Sequence, residues 1–214
     1  MRHEPPPLTP DLLLQAYGVG VFPMSEGRTN PEVFWVDPRM RGVFPLAQFR
    51  ISRSLARTLR RGHFMVTVDR AFDNVVHGCA DRDETWINTT IFGLYQALFT
   101  RGDAHSVEVW ENGKLVGGVF GVVIGAAFFG ESMFSRQTDA SKVALAYLVD
   151  ILRRGQFQLF DTQFITPHLA SLGAIEIPRE TYRKHLAQAT SAQGYFTTQV
   201  PSAQDVIQRK AQTS

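Results

Sequence analysis

The stretch SVEVWENGKLVGGVFGVVIGAAFFGESMFS, residues 106–135, decides the fold. Two apolar, β-branched runs flank Asn112-Gly113, the pair favoured in a type I′ turn because both central positions take positive φ. The pattern predicts a hairpin. Gly125 marks a second turn, so AAFFG (126–130) reads as a third antiparallel strand, with GESMFSR (130–136) following it. Next comes TDASKVALAYLVDILRRG (138–155), the strongest helix pattern in the chain. Thr138 or Asp139 can cap it, Arg153 and Arg154 suit its C-terminal end, and Gly155 stops it. QFQLFDTQF (156–164) is apolar on both faces and reads as a central strand. A short helix over TPHLASLGA and another over IPRETYRKHLAQA (177–189) follow. Hairpin, strand, helix, strand, helix is an α+β order with a crossover helix.

Upstream, Thr9-Pro10-Asp11 opens a helix over DLLLQAYG that Gly18 ends. The stretch from 18 to 42 is punctuated by turn residues and reads as a small, short-stranded N-terminal lobe. Its composition changes at Gly42, which divides the chain into residues 1–42 and a larger catalytic-type domain, 43–214. FMVTVD (64–69) is a strand pattern, AFDNVVHGCA (71–80) a short helix, and TTIFGLYQALFTRG (89–102) a helix ended by Gly102. The Pro-rich opening and the polar tail from about 191 specify little.

Composition narrows the function. With 44% hydrophobic and 20% charged residues, 214 residues can bury a core without disulfides or metal. Cys79 is the single cysteine, so intramolecular disulfides and multi-Cys zinc sites are excluded. No apolar run approaches the ~20 residues of a membrane span, and the N-terminus has no apolar signal core. A soluble cytoplasmic protein is expected. Of 22 basic residues 18 are Arg, whose planar fork suits phosphate. Between Arg39 and Arg70 lie 8 Arg and one acid, Asp69, a local charge of +7 in a chain of net +2. On a helix over ISRSLARTLRR (51–61), Arg53, Arg57, Arg60 and Arg61 fall within an arc of about 100°, opposite Ile51, Leu55 and Leu59. Such a stripe is either a solvated face or a track for nucleic-acid phosphates.

Chemistry concentrates in two places. Asp161 and Gln163 lie two apart on a predicted strand and so share a face, with Phe157 and Leu159. They are either a structural hydrogen-bonded pair or a relay. In a relay, the Gln163 carbonyl oxygen accepts from an attacking amine and Asp161 orients the assembly. Glu131, set among FFGESMF, is either a turn carboxylate or a site for a cation. Met133, Phe128, Val119 and Leu148 are core residues or the lining of a pocket for a large apolar side chain. The six His show no metal-ligand spacing, and no P-loop or GxSxG is present. The order of elements matches the acyl-CoA N-acyltransferase fold, in which a V-shaped opening between strands receives the acyl donor. A fold does not fix a function. The turn SRQTDASK before the main helix lacks the glycines that hold the CoA pyrophosphate, which argues for another acyl donor.

Taken together, the motifs FPM-SEG near 20–27, FWVDPR (34–39), TWI (85–87), AHSVEVW (104–110), LVGGVFG (115–121), GESMFSR (130–136), DTQ (161–163) and HLASLGAIEIPR (168–179) resemble leucyl/phenylalanyl-tRNA–protein transferases. The resemblance implies a small N-terminal lobe plus an acyltransferase-like mixed-sheet domain. It implies transfer of Leu or Phe, with Met also admissible, from Leu-tRNA or Phe-tRNA to the α-amino group of proteins with N-terminal Arg or Lys. The product would be marked for N-end-rule degradation, and no cofactor would be needed. It implies that Asp161 and Gln163 assist amine attack, that Glu131 is the active-site carboxylate, and that Trp35 and Trp86 lie near the 3′ adenosine. Met133 and Phe128 would form the amino-acid pocket. Val119 stands where the family usually has methionine, and Thr162 where it has cysteine. The same transfer to acidic N-termini, an acetyl-CoA-dependent N-acetyltransferase, and a non-catalytic tRNA-binding protein are the alternatives.

Overall fold

The computed structural model describes residues 8–209; the Pro-rich opening, residues 1–7, and residues 210–214 lie outside the described residues. Helix α1 (Pro10–Gly18) starts as read, with the Thr9 hydroxyl accepting from Leu12 N–H and Pro10 in the first turn. A two-stranded ribbon follows, β1 (Phe22–Met24) antiparallel to β2 (Phe34–Val36). Next is β3 (Met40–Val43), which belongs to the large sheet. Gly42, where the composition changes, therefore lies inside a strand of that sheet.

The large sheet has seven strands. In addition to β3 these are β4 (Met65–Val68), β5 (Ala104–Glu111), β6 (Lys114–Ile124), β7 (Ala127–Ser135), β8 (Leu159–Gln163) and β9 (Ile175–Pro178), in the order β4-β5-β6-β7-β8-β3-β9. Asn112 (φ 51) and Gly113 (φ 74) make the β5–β6 turn, and Gly125 (φ 57) makes the next. Strands β7 and β8 are parallel and paired only from Ala127↔Leu159 to Phe129↔Asp161. Beyond Asp161 they separate.

Helices cover both faces. Those on one face are α2 (Arg53–Arg61), the crossover helix α5 (Ala140–Arg154) and α8 (Ala203–Gln208), over a core containing Val107, Val119, Phe128 and Phe160. The other face carries α1, α3 (Phe72–Ala80), α4 (Thr89–Arg101) and α7 (Arg179–Ser191), over Phe120, Val122, Phe129 and Phe134. A short helix, α6 (Pro167–Ser171), capped by Thr166, follows β8. Among the described residues no helix is long and apolar enough to cross a membrane.

Four expectations are corrected. The third hairpin strand does not stop at Gly130 but runs on to Ser135. Here Gly121 pairs with Gly130 and Phe120 with Ser132, so Glu131 is an extra residue, a β-bulge. Strand β8 starts at Leu159 rather than 156, because Gln156 turns the chain at φ 60. Phe157 consequently packs on the α5 side while Leu159 faces the other core. Neither Thr138 nor Asp139 caps α5 through its side chain. The Asp139 carboxylate goes to Lys142 Nζ (2.8 Å) and Thr58 Oγ1 (3.2 Å), and the Ser135 hydroxyl accepts from Ser141 N–H (3.2 Å). Within the described residues, the tail to residue 209 also carries structure: Ser202 caps α8 and Val206 is buried against α2 and α5. Six residues are too few to show a helical period.

Candidate active site

The separation of β7 from β8 opens the site. Gly130 permits the strands to approach there, since a Cβ at this position would stand 2.7 Å from the Phe160 ring. A cavity of about 290 Å³ lies at the opening. Glu131 and Gln163 line it from one face of the sheet; Val119, Met133, Leu145, Phe160 and Leu169 line it from the other, with Trp86 and Met24 at its rim. The bulge explains this division. Simple alternation would put Glu131 and Met133 on one face. The extra residue sends Glu131 toward Tyr95 and leaves Met133 opposite Val119.

Two buried clusters meet at Gln163. In the first, the Asp161 carboxylate is fully buried and pairs with Arg41, whose Nε and terminal nitrogen donate at 2.9 and 2.7 Å. Tyr182 Oη donates to the same carboxylate at 2.7 Å, and Arg41 also donates to the Gly20 carbonyl at 3.1 Å. The guanidinium lies between the Phe22 and Tyr182 rings, 4.5 and 4.6 Å from their centroids. Arg41, counted above with the basic stretch, is thus an interior residue. The third partner of the carboxylate is decisive: Gln163 N–H donates to Asp161 Oδ1 at 2.8 Å. Gln163 has φ 62, a left-handed conformation that costs a non-glycine residue energy unless it is held. Asp161 holds it.

In the second cluster, Gln163 Nε2 donates to Glu131 Oε2 at 2.9 Å, and Tyr95 Oη donates to the same oxygen at 2.7 Å. Tyr17 Oη lies 2.9 Å from Tyr95 Oη. Glu131 Oε1 is buried without a partner among the described residues. Burial pushes the Glu131 carboxyl up from its usual 4.5 to about 7, against the lowering effect of the Tyr17, Tyr95 and Gln163 donors. With its NH2 spent on Glu131, Gln163 leaves its carbonyl oxygen for the cavity.

The structure brings together Glu131, Gln163, Met133, Val119 and Trp86, and sets the other proposed site residues apart. Asp161 is close behind the cavity but lines none of it. Phe128 lies beneath the floor, edge-on to Phe160 at 5.5 Å. Leu148 is core, one turn beyond Leu145, which takes the place expected for it. Trp35 is 40% exposed on the ribbon, one register position from Met24. Sequence reasoning missed Arg41, Tyr17, Tyr95 and Tyr182, which are brought in by contacts remote in sequence. Leu145 was the accessible omission, since it shares a helical face with Leu148. Burial pushes the Cys79 thiol up to about 12, which makes it a packed residue, not a nucleophile.

The Arg stripe lies on α2. Arg53, Arg57, Arg60 and Arg61 are exposed and border one groove whose floor includes Ala56 and Ile207 of α8. None of the four makes an ion pair among the described residues. The nearby turn into α5 meets α2 through Thr58 and Asp139.

A mixed sheet parted between two parallel strands, with an amide and a carboxylate at the parting and an apolar cavity beside them, defines an acyltransferase-type protein. Comparison with known proteins is specific. Residues 43–187 match the leucyl/phenylalanyl-tRNA protein transferase family, and residues 7–39 match the N-terminal domain of the same transferases. A leucyl/phenylalanyl-tRNA–protein transferase of Cereibacter sphaeroides is 61% identical over 98% of this chain and 99% of its own. One from Ruegeria pomeroyi is 61% identical over 97% of this chain and 99% of its own. Among solved structures, FemX overlays on 81% of this chain and 70% of its own at 12% identity, with a TM-score of 0.49. The chain belongs to the leucyl/phenylalanyl-tRNA–protein transferase family.

Proposed function

We propose that this protein transfers Leu or Phe from aminoacyl-tRNA to the α-amino group of cytoplasmic proteins that begin with Arg or Lys. The observation that carries this reading is the Gln163 amide, whose NH2 is taken by Glu131 and whose carbonyl oxygen is left at the cavity. The aminoacyl ester is already activated. The acceptor amine attacks its carbonyl carbon, the C–N bond forms, the C–O bond to the terminal ribose breaks, and the amine proton ends on the released ribose hydroxyl. Gln163 is too weak a base to keep that proton. It accepts a hydrogen bond from the amine and fixes its lone pair on the carbonyl. Asp161 acts from behind by holding the Gln163 backbone.

Val119, Met133, Leu145 and Leu169 suit a Leu or Phe side chain, and Trp86 at the rim suits the terminal adenosine. The exposed guanidinium groups of α2 suit acceptor-stem phosphates, held largely without sequence readout. The test is transfer of radiolabelled Leu from Leu-tRNA to peptides beginning with Arg, Asp or Ala. Transfer to the Arg peptide alone is expected. Equal transfer to the Asp peptide overturns the acceptor rule, and no transfer with intact charged tRNA overturns the reaction.

A further inference from the structure

We infer that the charge on Glu131 decides which way round the Gln163 amide stands, and that Tyr95, backed by Tyr17, is a positioning residue that keeps that charge in place. The inference rests on Gln163 being the amine acceptor proposed above.

A carboxylate only accepts hydrogen bonds, so an ionised Glu131 requires Gln163 to offer its NH2 and turn its carbonyl to the cavity. That is the observed arrangement, at 2.9 Å. A protonated Glu131 can donate instead. The amide then turns round and presents NH2 to the incoming amine, donor against donor. The two states differ by one proton and a half-turn of one side chain.

The groups facing Glu131 come from every element around it. Tyr17 comes from α1, Tyr95 from α4, and Gln163 and Asp161 from β8; Arg41 on β3 matches the charge of Asp161, and Arg82, after α3, lines the same cavity but donates to the Ser132 hydroxyl and the Met133 carbonyl. No cation pairs directly with Glu131 among the described residues. Its charge is therefore supported by donors and, at longer range, by the Arg41 guanidinium, against burial and the nearby Asp161 carboxylate. Tyr95 spends its hydrogen on Glu131 at 2.7 Å, so across the 2.9 Å contact Tyr17 is the donor and Tyr95 the acceptor. Both hydroxyls are fully buried, and burial holds their acidity far below ordinary tyrosine, so they remain donors. The chain runs Tyr17 to Tyr95 to Glu131, and Glu131 orders Gln163.

The experiment is the pH dependence of transfer for wild type, Tyr95→Phe and Tyr17→Phe, read as the ratio of variant to wild type. The acceptor amine titrates alike in all three and cancels. Loss of the Tyr95 donor should move the acidic limb up by about one pH unit. The deficit is then about tenfold below the limb and shrinks as pH rises, with KM for tRNA unmoved. Tyr17→Phe, which removes a second hydroxyl that supports the Glu131 charge, should shift the limb in the same direction. A ratio independent of pH in both variants overturns the inference. A second readout needs no activity: the Glu131 carboxyl carbon, assigned by its absence in Glu131→Gln, should titrate about one unit higher in Tyr95→Phe. An unmoved titration overturns the inference. A moved titration in a protein that transfers nothing at any pH upholds the tyrosine–carboxylate coupling and overturns the proposed reaction instead.

Discussion

Arg41 on β3 and Asp161 on β8 meet in a bidentate ion pair that is 1% and 0% exposed, and the pair ties the N-terminal segment to the strand carrying Gln163. Such a pair contributes little over an apolar replacement, but losing one member strands a buried charge. Asp161→Asn should therefore cost about 3–5 kcal/mol in urea unfolding. Adding Arg41→Met should recover part of that loss. Strict additivity of the two substitutions would show that the pair is not coupled.

Gln163→Ala removes the proposed amine acceptor and leaves every arginine of the α2 stripe in place. Turnover should fall by about 100-fold or more, with tRNA affinity within about twofold of wild type. Filter binding alongside single-turnover transfer separates the two quantities. A variant that loses only affinity would remove Gln163 from the chemistry.

Reversing charge on α2 should do the opposite. Arg57→Glu with Arg60→Glu should weaken tRNA binding and reduce the slope of log K against log salt by about two. At saturating tRNA, turnover should suffer less than affinity does. An unchanged salt slope would mean that the stripe is only a solvated face.

Val119 pairs with Met133 across the two strands that wall the cavity. Val119→Met adds bulk there, so Phe transfer should drop relative to Leu transfer by about tenfold, the scale of one methylene-sized misfit. Competition between Leu-tRNA and Phe-tRNA in one reaction measures the ratio directly.

Glu131 also makes a prediction about stability. Its folded pKa, about 7, is raised above the ordinary 4.5, so the folded state holds the proton more tightly. The proton's stabilising effect is fully present below about 4.5 and is lost as pH rises through about 7. The loss is on the order of 3 kcal/mol. Glu131→Gln should lack this decline, so urea unfolding at pH 5 and pH 8 should show wild type losing stability relative to the variant. Parallel behaviour of the two proteins would contradict the raised pKa.

Much of this architecture was legible because its determinants are local. Asn112-Gly113 writes its own turn, Thr9 its own cap, and the spacing of Ile51, Leu55 and Leu59 defines the buried side of α2. Asp161 and Gln163 stood out as polar groups on an apolar strand, and Glu131 as a carboxylate among aromatic and methionine residues. What escaped depends on partners far along the chain. Arg41 looks like one more surface arginine until Asp161, 120 residues away, is folded onto it. Tyr17 and Tyr95 look like core residues until their hydroxyls are followed to Glu131. The bulge could not be read either, since only the facing strand reveals that Gly121 and Phe120 skip a residue. Strands β3 and β9 are four residues each, shorter than an alternation needs to declare itself.

The extra residue at Glu131 also bears on how this enzyme can change over evolutionary time. Because it breaks alternation, one strand serves two tasks on opposite sides of the sheet. On the proposed reading, substitutions at Val119, Met133 or Leu145 would retune which amino acid is donated without disturbing the tyrosine–carboxylate–amide chain behind it. Deleting one residue between Gly130 and Ser132 would merge the two sides and cost both tasks at once. The cavity lining can therefore vary with little consequence for the bulge, while a change in the length of that short segment cannot be absorbed in the same way.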